Sequence, residues 1–530
     1  MLNLKSFAVA LVVALIAFAE VGAKPAPVIR SAPLTRDTLV LWAMDEGINS
    51  GSTLRKITRR FAHRSGYPVK VRFLDWGTAF EQLTRTLATD AASAESSGIE
   101  FPDVIQLGSS WVPHFASHDL IASVPESLLV SLDTTRFYAE AMKVSHLGSD
   151  AETYSLPWFL DVRGLLVNKR LWQELELTED DVSTYPKFYG TLRAISKKKL
   201  KNKVGASVAP FGYGVKNDWT GHQQMSPIIW SFGGDLVVKE GDSYRSALAD
   251  SSTLNGLRHY LKFLNDLDIS PYGFQENSTQ NADRFVRSEQ LVIYGTAEFI
   301  RKLEFSADQG GLKESLLAED SLAFISFPEG PNGRFTFVGG SHLALPKRGS
   351  LQKRNAAEAL FVYLLRADNM DFFSRQIGFL PADKAMINIW AKDSRYGHLI
   401  ENLEKNGRSF PNIPEWSGVE YAIITMVNAF AKNIENRTAD VNEITVDAVL
   451  KAHQRINEIL KYNENASPVE VRNRIEGILI TPVDEESSFV QNDSAPEEGM
   501  SSSLVVVLGL VLVCLALIAF VGFAVIRRKR

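Results

Sequence analysis

The residues with the most chemical character in this 530-residue chain are tryptophans set beside acids and amides. Trp42 and Asp45 follow the apolar run Leu39-Val40-Leu41. Asp75 and Trp76 follow the alternating positions Val69, Val71 and Phe73. Gly108-Ser109-Ser110-Trp111 follows Val104-Ile105-Gln106-Leu107. In open α/β sheets, ligands sit beyond the carboxyl ends of the strands. Three parallel strands would therefore bring three indoles to one sheet edge. A single tryptophan is most simply a large hydrophobe closing a core; three at equivalent positions favour a site. Trp158 and Asp161 lie close together in Pro157-Trp158-Phe159-Leu160-Asp161-Val162-Arg163. Asn217, Asp218 and Trp219 form a polar loop, and Trp416 ends Phe410-Pro411-Asn412-Ile413-Pro414-Glu415-Trp416. Flat aromatic faces with acids, amides and hydroxyls nearby suit sugars, whose C–H faces stack and whose hydroxyls pair with planar polar groups. Trp172 and Trp390 fall in helical stretches and are assigned to packing.

Motifs for catalysis are missing. No nucleophile elbow occurs, because Gly339-Gly340-Ser341-His342 lacks its second glycine. There is no P-loop, zinc-protease or dinucleotide fingerprint. His114 and His118 could share a helix face, but no third ligand accompanies them, so no metal is expected. No pair of carboxylates is singled out as a glycosidase pair. The expectation is a binding protein with no catalytic residues and no cofactor.

The elements that must position these residues read as α/β. Leu39–Leu41 suits a buried parallel strand. Leu54, Ile57 and Phe61 mark one helix face, ended near Gly66. A strand at 69–73, a helix carrying Phe80, Leu83 and Leu87, and a strand at 104–107 complete β-α-β-α-β, a doubly wound layer. Leu254, Leu257, Leu261 and Leu264 mark a later helix, Leu291–Tyr294 a strand, and Ala356–Leu365 and 444–459 further helices.

Both ends differ from this middle. Residues 1–23 carry Lys5, an apolar run from Phe7 to Ala19, and Val21-Gly22-Ala23, which is the pattern of a cleaved signal peptide. Leu504–Ile526 is 23 residues without a charge, followed by Arg527-Arg528-Lys529-Arg530. That is long enough to span ~30 Å of hydrocarbon, with the basic tail (527–530) cytoplasmic. Residues 483–503 are acidic and serine-rich with no Lys or Arg, as a solvated tether would be. The formal charge of -5 becomes -9 over residues 24–503, with 52 basic against 61 acidic side chains, and gives no reason to expect nucleic acid as a partner. The lone cysteine, Cys514, falls inside the apolar run. A large exported domain without cysteine fits a bacterial envelope.

With these motifs in order, the chain resembles the bacterial extracellular solute-binding proteins of the sugar-binding, maltose-binding-protein-like group, over roughly 37–462. The segments are Phe101–Trp111, Tyr154–Phe159 with Leu166–Lys169, Ile229–Asp235, Phe337–Ala344, Phe379–Ala382 and Pro411–Pro414. The resemblance implies a two-lobed periplasmic-binding-protein clamshell of the type II kind, here with a C-terminal transmembrane helix. Lobe 1 would comprise 37–155 and 337–387, and lobe 2 156–336 and 388–482. It places ligand loops on Trp42, Asp45, Asp75, Ser110, Trp111, Asp161, Glu298, Trp416 and Tyr421. Gly340 and Ser341 lie on its return strand. Ala297 stands where many members carry a stacking Trp.

The resulting expectation is a single-pass protein of the cell membrane with a monomeric ectodomain on the extracytoplasmic, periplasmic side. It would capture a sugar or oligosaccharide and deliver it to the permease subunits of an ABC-type transporter. Two other functions fit the same residues: a sensing co-receptor for a membrane kinase, and an exported glycoside-active enzyme.

Overall fold

Leu39–Met44 is apolar and buried at every position, as a strand covered on both faces must be; it forms β1. β2 (Val69–Leu74) and β3 (Val104–Gly108) pair with it in parallel, one on each side. The helix Ser50–Ser65 joins β1 to β2. It buries Leu54, Ile57 and Phe61 and ends at Gly66, whose φ of 81° is the left-handed cap conformation. The helix Trp76–Leu87 follows β2 and buries Ala79, Leu83 and Leu87; the Asp75 carboxylate caps it by accepting from the Gly77 N–H. A computed structural model describes residues 38–480 apart from 48, 148–151 and 437–440. The expected leader, tether and membrane span lie outside these residues. Among the described residues, no helix is long and apolar enough to cross a membrane.

The later strands are β4 (Ser155–Val162), β5 (Gly164–Asn168), β6 (Ala209–Gly212), β7 (Val237–Glu240), β8 (Ser243–Ser246), β9 (Gln290–Gly295), β10 (Leu322–Ile325), β11 (Thr336–Ala344), β12 (Leu380–Pro381) and β13 (Gly407–Arg408). They build a large sheet in the order β12-β4-β11-β3-β1-β2, with β13 beside β11, and a second sheet in the order β10-β5-β9-β6. β7 and β8 form a separate hairpin.

The β-α-β-α-β layer expected from residues 39–107 is present as the parallel strands β1–β3 with their helices, while the rest of the large sheet is mixed. β11 is antiparallel to both β3 and β4, and β5 is antiparallel to both β9 and β10. The cause lies in the connections. β4 runs in the direction of β1–β3 and passes into β5 through Arg163 alone, so β11, which brings the chain back, runs against both of its neighbours. The Arg163 N–H donates to the Phe337 carbonyl at 3.1 Å, and the Thr336 hydroxyl donates to the Arg163 carbonyl, so outgoing and returning chains are tied at the passage between sheets.

One core cluster takes in both sheets, burying Leu41 and Trp158 together with Leu166, Ile293 and Phe324, and a second cluster with Trp42 and Ile105 covers the large sheet from its other side. Trp158, Phe361 and Phe373 are buried with the large sheet. Phe211, Trp230, Tyr260 and Trp416 are buried with the second sheet and with the C-terminal helices Trp416–Asn436, Val441–Ile459 and Pro468–Leu479. Gly340 is required where it stands: φ is 144°, and a Cβ there would overlap the Phe159 carbonyl on β4.

Candidate functional site

The parallel run of β1, β2 and β3 sets Met44, Leu74 and Gly108 at one sheet edge. β11 continues that edge, with Ser341 opposite Gly108, and β4 extends it, with Leu160 opposite Gly340 and Asp161 opposite Gly339. The residues just past the strand ends are therefore Asp45-Glu46, Asp75-Trp76 and Ser109-Ser110-Trp111, with Ser341 and Asp161 alongside.

A buried amide organises this edge. Gln106 has no exposed surface, although it lies in the otherwise apolar strand β3. Its oxygen accepts from the Met44 N–H at 2.8 Å; its nitrogen donates to Glu46 at 2.7 Å and to the Ser341 hydroxyl at 2.8 Å. Burial among the strand ends pushes the Glu46 carboxyl up to about 7. Hydrogen bonds from Gln106 and the Trp76 indole oppose that rise, and the charges of Glu298 and Asp161 reinforce it.

A second polar strand of contacts runs from Asp161. Burial raises its pKa, the Arg163 guanidinium lowers it, and Glu298 raises it again. Arg163 donates to Asp161 Oδ2 at 2.8 Å and to Gln223 Oε1 at 2.7 Å. Gln223 lies in the first turn of the helix Gly221–Ser231. The preceding residue, His222, is fully buried, with its Nε2 2.8 Å from Glu420 Oε1; Glu420 is 2% exposed. The helix Trp416–Asn436, which carries Glu420, packs against the segment 109–117 that follows β3. Asp161 Oδ1, Glu420 Oε2 and His222 Nδ1 are buried with no hydrogen-bond partner among the described residues.

Two indoles close the edge above Gly108. Trp76 and Trp111 meet edge to face, with centroids 5.2 Å apart at 64°, and Phe80 braces Trp111 at 5.4 Å. Trp76 keeps 37% of its surface exposed, whereas Trp111 keeps 5%. A side chain at position 108 would press against both rings.

The other expected residues have different surroundings. β1 runs on to Met44, so Trp42 lies within it and is buried in the core, with the Arg72 guanidinium 4.4 Å from its ring. Asp45 accepts from the Gly47 N–H and the Ser50 hydroxyl at the start of a helix, as Asp75 does from Gly77. Trp158 stacks flat on Phe373 at 4.4 Å and 2°, inside the core of the large sheet. Trp416 stacks on Phe410 at 4.7 Å inside the other core. Asn217 sits at φ 52° with its N–H donating to Asn428. Asp218 accepts from the N–H and hydroxyl of Thr220 in its own loop and from the Ser278 N–H at the start of the helix Ser278–Val286, so both its oxygens are occupied. Trp219 and Tyr421 are exposed. Ser110 lies in the turn Ser109–Trp111, and Glu298 pairs with Lys302 one helical turn on.

Sequence reasoning passed over Glu46, Gln106, Gln223 and Glu420 as site residues. Gln106 had a readable signal: one amide in the middle of a fully apolar strand must find partners. Glu46 follows Asp45 directly, and only the path of the chain after β1 decides which of the two turns inward.

The family model described as "Bacterial extracellular solute-binding protein" matches residues 45–371. The diacetylchitobiose binding protein DasA of Streptomyces coelicolor is 25% identical over 389 residues, which cover 72% of this chain and 82% of that protein. The fold is similar to that of maltose-bound MalE3 of T. maritima, with a TM-score of 0.64 and 17% identity over 80% of this chain and 100% of the other. It is also similar to the sugar-binding protein MalE of Xanthomonas citri, with a TM-score of 0.62 and 20% identity over 80% and 97% of the two chains. With more than half of its length matched by that model, the chain belongs to the bacterial extracellular solute-binding protein family.

Proposed function

We propose that this protein is an extracytoplasmic carbohydrate receptor that hands its ligand to the permease of an ABC-type transporter. The observation that carries the reading is the edge at the ends of β1, β2 and β3. There, paired indoles, Trp76 and Trp111, stand beside the carboxyl groups of Glu46 and Asp161. An aromatic platform with fixed acceptors matches a pyranose, which offers a C–H face and a ring of hydroxyl donors. A relative that binds diacetylchitobiose and a similar fold that holds maltose support the same ligand class. The absence of a recognisable catalytic motif from the sequence supports binding without turnover.

In this reading, one lobe is built on the large sheet and the other on the second sheet. The chain crosses between them at Arg163, within 326–335 and again within 409–415, so β4 goes with the first lobe rather than the second. Ligand bound to both lobes stabilises their closed arrangement, because only closure gives it both sets of contacts. A leader (1–23) would direct export and be cleaved, and an acidic tether (483–503) with a single span (504–526) would hold the monomeric receptor at the outer face of the membrane.

A thermal-shift screen of mono- and oligosaccharides on the detergent-solubilised protein tests the reading. A sugar at a hundred times its dissociation constant adds about 2.7 kcal/mol of stability. Recovery of the unmodified sugar after incubation is expected. Release of cleaved product would favour an enzyme, and failure of every sugar to raise the melting temperature would remove the carbohydrate assignment.

A further inference from the structure

Four carboxylates belong to the two polar strands of contacts at this edge: Glu46, Asp161, Glu298 and Glu420. Three have a basic partner. Asp161 has Arg163, Glu298 has Lys302, and Glu420 has His222. Glu46 has none among the described residues: its partners are the neutral Gln106 amide and Trp76 indole, and the charges that reach it are those of Glu298 and Asp161. An ionised carboxylate in such a place is costly, and a cation arriving beside it removes the cost.

An independent observation concerns hydrogen bonding. Glu420, almost fully buried, leaves Oε2 without a donor, and Asp161 leaves Oδ1 without one. Buried acceptors of this kind are ordinarily satisfied by water or ligand. Asp161 reaches Gln223 through Arg163, and the neighbouring His222 on the same helix holds Glu420. A donor-rich ligand reaching these acceptors would satisfy them, and a positive one would pair the Glu46 carboxyl.

We propose that the ligand of this edge is a carbohydrate bearing a free ammonium group, an amino sugar, and that the ammonium seats against Glu46. This rests on the carbohydrate reading above and adds the charge of the ligand to it. An acidic sugar would meet Glu46, Asp161 and Glu298 together and be repelled. A neutral sugar would leave the Glu46 carboxyl protonated and lose the ion pair.

The test is calorimetry on the full-length protein in detergent at pH 6.0. Three β-1,4-linked disaccharides serve as probes: chitobiose with both amines free, its N,N′-diacetyl form, and cellobiose. The free-amine sugar is expected to bind about tenfold or more tightly than either neutral sugar. Because Glu46 is largely protonated at that pH while the sugar amine is already charged, binding should release about one proton. The release is read from the dependence of the heat on the ionisation enthalpy of the buffer. In Glu46→Gln, both the preference and the proton release should vanish; a parallel melt shows whether the variant is folded, and the wild-type buffer dependence stands without it. Neutral sugars binding as tightly as the amine, or no proton release, would overturn the ammonium assignment and leave the carbohydrate reading intact. No binding of any of the three would overturn both.

Discussion

The Gln106 side-chain amide donates to the Glu46 carboxylate at 2.7 Å, which ties the loop after β1 to the interior of β3. The same amide accepts from Met44 and donates to Ser341, so three strands, β1, β3 and β11, meet at one side chain. Both of its N–H donors and its oxygen are engaged, which fixes its rotamer. Gln106→Leu, close in volume, is expected to leave the Met44 N–H unsatisfied and to lower stability by about 1–3 kcal/mol. It should also loosen Glu46 and weaken sugar binding. Chemical denaturation and calorimetry on the same preparation would check both effects.

Trp158 and Trp76 should separate cleanly on substitution. Trp158 is 1% exposed and stacked on Phe373, so Trp158→Ala should cost ~3–5 kcal/mol in stability. Trp76 is 37% exposed at the strand-end edge, so Trp76→Ala should change the melt little and weaken ligand binding. A reversal of that pattern would show that the ligand lies on the other face of the large sheet.

This contrast also marks where the sequence was informative. The pattern at Leu54, Ile57 and Phe61 with Gly66 identifies a helix and its end because amphipathic spacing and a left-handed cap are local properties. The edge built from the ends of β1, β2 and β3 was legible for the same reason: parallel strands with intervening helices dictate it. The face taken by each side chain was not. Trp42 and Trp158 carry the same aromatic-plus-acid signal as Trp76, yet they turn into the core because pairing with β2, β3 and β11 fixes their register. Asp45 and Asp75 look like ligand acids but cap helices, a local bond that competes for the same oxygens. Gln223 and Glu420 come to the site only through the packing of helices far apart in sequence.

Two titrating groups, one buried and one half-buried, give stability opposite dependences on pH. His342 is fully buried, and burial depresses it to about 3; Ser155 Oγ is 2.9 Å from its Nδ1. The unfolded chain binds a proton there first, so the stability from neutral His342 is present above about pH 6.5 and is lost as pH falls towards 3. Glu46 is raised to about 7, so its contribution is present below the ordinary carboxylate range and is lost as pH rises through about 7. Urea titrations from pH 4 to 8 should show a smaller loss on the acid side in His342→Gln and a smaller loss on the neutral side in Glu46→Gln.

Asp320 holds the rim of the second sheet. It accepts from Asn168 at 2.9 Å, from Arg170 at 2.6 Å, and pairs with Lys203 at 3.0 Å, with its side chain 1% exposed. Burial opposes its ionisation, but these donors hold its carboxyl well below the usual range. Asp320→Asn leaves two cations without their shared partner and should cost about 3 kcal/mol. Sugar affinity should be nearly unchanged, because Asp320 is distant in the network from Glu46 and Asp161. Equilibrium unfolding read beside calorimetry would verify the separation.

A crystal structure of the protein with a bound sugar would locate the ligand. The sugar is expected at the ends of β1, β2 and β3, over Trp76 and Trp111, with Glu46 and Asp161 within hydrogen-bond distance of it. A sugar bound elsewhere, with Glu46 and Trp76 untouched, would contradict that placement.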